Sequence, residues 1–198
     1  MALVASVACL VAGTVGTSSA QEAPAPELGR SVNVALVSGT VLVNPKGPTA
    51  LHKLVGTESI PTGSTVDTRR GRVRLTSAVD TYGNVRTSEF WAGVFKVRQR
   101  RRTNAVTDLI LAGKLENCGR ASAAARKRKG RRLWGNGKGK FRTRGRRSAA
   151  LVRGTKWLVY DQCDASTYNA VRTGTVDVRD FRRKRTIRLK AGEKYIAR

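Results

Sequence analysis

"GTVDVRD", residues 174–180, is the stretch on which the fold turns. Val176 and Val178 alternate with Asp177 and Arg179, so an extended segment here is apolar on one side and charged on the other, the period-two pattern of a half-buried strand. Working outward, the same alternation recurs. Val73 and Leu75 alternate with Arg72 and Arg74, Phe95 and Val97 with Lys96 and Arg98, and Ile187 and Leu189 with Arg188 and Lys190. Glycine-bearing turns separate these runs: "NPKGP" (44–48), "PTGS" (61–64), "TYGN" (81–84) and "KAGE" (190–193). Helical spacing is hard to find. The one stretch of helix-friendly composition, "CGRASAAARKRKG" (118–130), lacks an apolar face and reads as a loop or a frayed short helix. The pattern predicts an all-β protein with an antiparallel sheet, apolar on one face and basic on the other.

Three of the strand-like runs open on glycine in the form G-x-(V/F)-x-V, at Gly39, Gly93 and Gly174. Their spacing is irregular, which excludes a regular repeat array. They read as one strand-entry device used three times, glycine supplying a bend before a half-buried strand.

At 198 residues and 40% hydrophobic content the chain suits one domain with a real core. Its 39 Lys and Arg against 13 Asp and Glu give a formal charge of +26, which calls for counter-ions or a polyanionic partner. The charge gathers at residues 98–102, 126–132, 138–147 and 182–185. The densest run, "RRLWGNGKGKFRTRGRR" (131–147), lacks the Walker pattern of a phosphate loop. Phe141 and Thr143 alternate with Arg142 and Arg144, so it reads as a β-hairpin with its basic residues toward solvent. Arg128, Arg131, Arg132, Lys138, Lys140, Arg142, Arg144, Arg146 and Arg147 are the candidate polyanion contacts. Trp134 reads as a cover on the hydrophobic edge, or alternatively as a stacking surface for a base or a sugar.

The N-terminus bears on which polyanion is meant. Residues 1–20 carry an uncharged apolar run and end in Ser18-Ser19-Ala20, the small-x-small pattern of a signal-peptidase site, although no Lys or Arg precedes the run. The expected organisation is a signal peptide (1–20), a Pro-rich linker (21–31) and a single β domain (32–198) with a basic excursion at 118–140. Cleavage removes Cys9 and leaves Cys118 and Cys163. In an oxidising compartment that pair reads as one disulfide, the alternative being two unpaired buried thiols.

Parts for catalysis are few. His52 is the only histidine, with no second one at ligand spacing, so no metal site is expected. Asp161 and Asp164 flank Cys163, where capping a turn or pairing with Arg is the expected role. No cofactor, small-molecule substrate or enzymatic activity is anticipated.

With the strands laid out, "GTVLVNPKG" (39–47) and "LVGTESIPTGSTVDTRRGRVRLTSA" (54–78) resemble the opening half of the FecR-like domain. "FRTRGRRSAALVRGTKWLVYD" (141–161), "TYNAVRTGTVDVRD" (167–180) and "IRLKAGEKYIA" (187–197) resemble its closing half. The marks are Arg153, Gly154, Thr155 and Trp157, then Gly174, then Gly192 and Glu193 in the final turn; the match spans 33–198 and departs from the pattern over 98–140. The resemblance implies an exported, non-catalytic FecR-like β-sandwich or β-roll. The signalling role of some relatives, which uses a cytoplasmic segment, is not expected to carry over. The function expected is a cell-envelope or extracellular binding or structural module. Its partner would be an acidic envelope polymer or other polyanion, beside some unknown protein. A nucleic-acid-binding module is the alternative, favoured by charge and opposed by the leader.

Overall fold

The computed structural model describes residues 23–115, 118 and 130–198. Thirteen strands run in order: β1 (Ser31–Asn44), β2 (His52–Lys53), β3 (Thr57–Pro61), β4 (Thr65–Ala78), β5 (Val85–Trp91), β6 (Val94–Gln99), β7 (Thr107–Leu111), β8 (Gly130–Gly137), β9 (Phe141–Arg144), β10 (Ser148–Gln162), β11 (Thr167–Asp180), β12 (Thr186–Lys190) and β13 (Lys194–Ala197). Among the described residues there is no helix, and the all-β expectation holds. The expected signal peptide (1–20), Arg128 and most of the 118–130 segment lie outside the described residues.

The pairing path closes on itself. From β10 it runs through β8, β5, β4, β6, β7 and β9 and returns to β10. Closure works because β4 and β10 each serve two neighbours on one edge: residues 65–67 of β4 pair with β6 and 72–78 with β5, while residues 149–151 of β10 pair with β9 and 155–162 with β8. Outside the ring, β1 lies on β4 and β11 lies on β10. Each outer strand is again split, β1 carrying β3 and β2, β11 carrying β13 and β12. The two halves of the chain thus repeat one plan.

The interior is aromatic at its centre. The Phe90 ring lies 5.7 Å from Phe95, 5.6 Å from Phe141 and 5.8 Å from Trp157, joining β5, β6, β9 and β10 through tilted and edge-on contacts. Such pairs each add about 0.5–1.5 kcal/mol beyond the area they bury. Trp157 satisfies its one donor internally, Nε1 donating to Thr143 Oγ1 at 3.0 Å. The alternation reads through as expected: Val73, Leu75, Phe95, Val97, Val176, Val178 and Leu189 are buried, Ile187 half-buried, and the intervening Arg72, Arg74, Arg98, Arg188 and Lys190 face outward.

Three expectations need correction. The sheet is mixed, because β9 runs parallel to β7. A parallel pair needs a long crossover, and here residues 112–140, containing the basic excursion and β8, provide it. Residues 131–147 are not a hairpin either: β8 and β9 do not pair with each other, and each pairs instead with its own part of β10, leaving residues 138–140 as a corner. Finally, only Gly93 sits between two strands. Gly39 and Gly174 lie inside β1 and β11 at φ +74° and +73°, where the strands shift register.

The reason is close backbone approach. Gly39 faces Gly71 across the ladder, and a Cβ on Gly174 would sit 2.1 Å from the Gly154 carbonyl oxygen. These left-handed kinks bend each long strand, so its two ends take different neighbours. Gly174→Ala is therefore expected to cost more than the roughly 1–2 kcal/mol of a left-handed non-glycine backbone. Gly56→Ala is the comparison, since φ there is +65° with nothing within 4 Å of the added Cβ. Urea unfolding of both variants checks this, and equal losses would mean that the contact at Gly174 imposes nothing.

Candidate polyanion interface

Cys118 and Cys163 are joined in a disulfide, with Cα atoms 5.3 Å apart. Cys163 stands in the turn after β10, and both cysteines are exposed. Two residues earlier, Asp161 is fully buried. It accepts hydrogen bonds from Arg131 Nε at 2.9 Å, the Arg146 amide at 2.8 Å and the Thr167 hydroxyl at 2.6 Å. Arg131 also donates to the Gly113 carbonyl at 3.2 Å. Removing Arg131 would leave a fully buried carboxylate without its charged partner, which is strongly destabilising, so Arg131 holds the fold. Asp164 caps its own turn through the Ser166 amide and hydroxyl, which hold its carboxyl below the usual range.

The other candidate contacts divide by place. Arg142 is fastened to Asp108, its register partner on β7, with Nη2 donating to Oδ2 at 2.8 Å. Lys138 and Lys140 stand exposed at the β8–β9 corner, beside a shallow cleft of about 480 Å³ floored by Leu151, Val152 and Gly154. Arg132 faces outward from β8. Arg144 at the end of β9 and Arg146 and Arg147 before β10 are exposed, and the fold sets them beside the β11–β12 turn, residues 181–185. The Phe181 amide donates to the Arg147 carbonyl at 2.9 Å, and the Arg144 guanidinium lies 5.0 Å over the Phe181 ring. Seven cations meet at this corner: Arg144, Arg146, Arg147, Arg182, Arg183, Lys184 and Arg185.

None of the seven forms an ion pair among the described residues. The nearby Asp180 is turned inward and fully buried, accepting from the Arg183 amide at 2.8 Å and the Tyr195 hydroxyl at 2.7 Å. Burial works against its charge, but the Arg182 and Arg183 amides and the Tyr195 hydroxyl outweigh it and hold the carboxyl below its ordinary range. Asp180 thus pins the turn without an ion pair to the arginines, of which Arg183 donates to the Tyr195 hydroxyl at 3.2 Å and Arg147 to the Ala165 carbonyl at 3.3 Å. Contiguity across two loops was not legible in sequence, because residues 144–147 and 182–185 are brought together only by the β10–β11 register, Ser148 opposite Asp180.

A second basic surface lies on the outward face of the sheet. Trp91 and Trp134 are register partners on β5 and β8, their rings parallel within 6° and 6.1 Å apart. The Arg72 guanidinium lies 4.2 Å over Trp91, with Lys156 Nζ at 5.6 Å, and Arg172 reaches 6.0 Å from Trp134. Such contacts contribute about 0.5–1 kcal/mol each at exposed sites. Sequence reasoning singled out Trp134 but missed Trp91, Arg72, Lys156 and Arg172. A signal existed, because Phe90 takes the inward phase of β5 and Trp91 therefore points outward. Arg132, two residues from Trp134 on the same face of β8, leads on to a cleft of about 610 Å³ that Lys114 and Tyr160 also line.

The motif residues fall at demanding points of the frame. Gly154 and Gly174 make the kink, Thr155 donates to the Thr173 carbonyl, and Trp157 fills the core. Arg153 lies opposite Thr175. In the last turn Gly192 has φ +85°, and Glu193 accepts from the Lys190 amide at 2.7 Å.

His52 links β2 to β3 through Glu58, Nε2 to Oε2 at 2.9 Å. Among the described residues no three His, Cys, Asp or Glu gather to hold a metal ion. Comparison with family models, curated proteins and solved structures finds no match to this chain.

Two outcomes are expected. Reduction of the 118–163 bond should lower unfolding stability by roughly 4 kcal/mol, from the entropy of a loop that long; unchanged thermal unfolding in dithiothreitol would rule that out. The hydrogen bond to Glu58 raises the His52 pKa above 6.5. Its stabilising effect is therefore complete below pH 6.5 and fades as pH climbs through the raised value. His52→Gln should flatten the stability profile in that window, as thermal unfolding across pH would register.

Proposed function

We propose that this chain is an extracytoplasmic, non-enzymatic FecR-like domain that contacts acidic polymers through its basic surface. The observation that carries the reading is the corner of Arg144, Arg146, Arg147 and residues 182–185, seven cations without an ion-pair partner among the described residues. Unpaired arginines at this density draw condensed counter-ions, and a polyanion gains by releasing them. The leader and the 118–163 disulfide support a location outside the cytoplasm. The FecR-like resemblance draws support from its marker residues serving as kink, core and turn.

Affinity for a polyuronate and for mixed-sequence duplex DNA should fall linearly on a log–log plot against salt. Replacing Arg146, Arg147, Arg182 and Arg185 with Ser should reduce the slope on the duplex by about 3–4, near 0.9 per lost contact. A control with Arg70, Arg98, Arg100 and Arg102 replaced by Ser should change it less. Fluorescence anisotropy measures both. Equal losses would disperse the charge over the whole surface and remove the corner as a site. Selection of one duplex sequence by more than about 4 kcal/mol would favour a nucleic-acid reader.

A further inference from the structure

The tryptophan face differs from the arginine corner in kind. Its cations are held against rings, so less side-chain freedom is lost when they meet an anion. Its rings are unequally covered. Arg72 lies over Trp91 at 4.2 Å and Trp134 takes the other side, whereas Arg172 stands 6.0 Å from Trp134, at the outer limit of such contact. The face of Trp134 turned away from Trp91 is therefore the loosely covered one. Leu158, its register partner on β10, is 7% exposed and lies beneath that space as an apolar floor. Lys156, two residues before Leu158 on β10, and Arg172, set at the β11 irregularity opposite Lys156 and Trp157, rise exposed together beside Leu158, and neither forms an ion pair among the described residues.

We propose that the loosely covered face of Trp134, over Leu158, is a subsite for the pyranose rings of an acidic polysaccharide, with Lys156 and Arg172 meeting its carboxylates. The proposal rests on the polyanion reading above and deepens it. A flat indole suits the C–H face of a sugar ring, and a guanidinium can engage a carboxylate through two parallel hydrogen bonds. A bare phosphate chain has no ring to lay there. A single-stranded nucleic acid does have rings to stack, but the exposed disulfide and the leader suit an oxidising compartment, which favours the sugar polymer. Arg132 and the adjoining cleft with Lys114 then continue the path beyond Trp134.

The test uses the oxidised protein and three probes of matched charge: a polygalacturonate decamer, linear polyphosphate and oligothymidylate. Binding is followed by calorimetry and tryptophan fluorescence at several salt concentrations. Trp134→Ala is expected to weaken polygalacturonate at least tenfold and polyphosphate less than twofold. Trp134→Leu, which keeps apolar cover on the sheet, should do the same with an unchanged melting temperature. Lys156→Gln with Arg172→Gln, both exposed residues, should weaken polygalacturonate severalfold and lower its salt slope. The subsite is refuted if the Trp134 variants bind polygalacturonate as tightly as the parent or lose all three probes equally. It is also refuted if only oligothymidylate depends on Trp134, which would make the face a nucleic-acid platform. Salt-dependent binding that responds to the arginine-corner variant but not to these would sink the subsite alone. An absence of salt-dependent binding to every probe would remove the polyanion reading itself.

Discussion

Everything in this fold depends on two backbones passing closer than side chains allow. Where β11 crosses β10, Gly174 brings its Cα against the Gly154 carbonyl, and where β1 crosses β4, Gly39 does the same at Arg70. Strands of 14 and 15 residues would otherwise run straight past one set of neighbours. The kinks turn each strand into two arms. One arm of β10 takes β8 and the other takes β9, and this alone lets seven strands close around Phe90. The aromatic core is a consequence of closure, and closure is a consequence of glycine.

The scarce acids explain where the charge ends up. Thirteen carboxylates serve 39 basic side chains, and the fold commits several to holding strands together: Asp108 ties β7 to β9, Asp177 ties β11 to β12 through Arg188, and Glu89 ties β5 to β4 through Arg72 and Arg74. Two more, Asp161 and Asp180, are buried at the base of turns. Asp161 takes Arg131 there, whereas Asp180 is met by amides and a hydroxyl. Among the described residues Arg69, Arg72, Arg74, Arg131, Arg142 and Arg188 are matched on their strands, and the cations left without a carboxylate include Lys156 and Arg172 on the tryptophan face and the arginines of the corner. A uniform reading of every Arg in residues 131–147 as an outward contact misses this division, because Arg131 and Arg142 are structural partners and Arg146 and Arg147 are not.

Much of the frame was legible in the sequence. Alternation at Val73, Phe95 and Val176 identified strands and their inward faces, since burying one side of a sheet leaves a period that cannot hide. The cysteine count pointed to the 118–163 bond. What stayed illegible was partnership. Nothing local says that Phe141 and Leu133 lie on strands that do not pair with each other, because both answer to β10, and residues 138–140 look like any hairpin turn. The G-x-V-x-V runs showed that Gly39 and Gly174 matter, but not that their opposite numbers were Gly71 and Gly154. Trp91 was overlooked for a related reason, its meaning coming only from Trp134 across the ladder.

The cross-link encloses β8, β9 and the whole of β10, the segments through which the ring closes. Closure depends on contacts distant in sequence, and such contacts slow folding because loop entropy must be lost before they reward the chain. With the bond already made, an unfolded chain carries that crossover as a short covalent circuit, and β10 can find both of its neighbours within it. The order of events then matters to the fold's history as well as to its stability: oxidation before collapse narrows the search to docking the β4 half onto a tethered loop, whereas collapse before oxidation leaves β9 to find its parallel place beside β7 unaided.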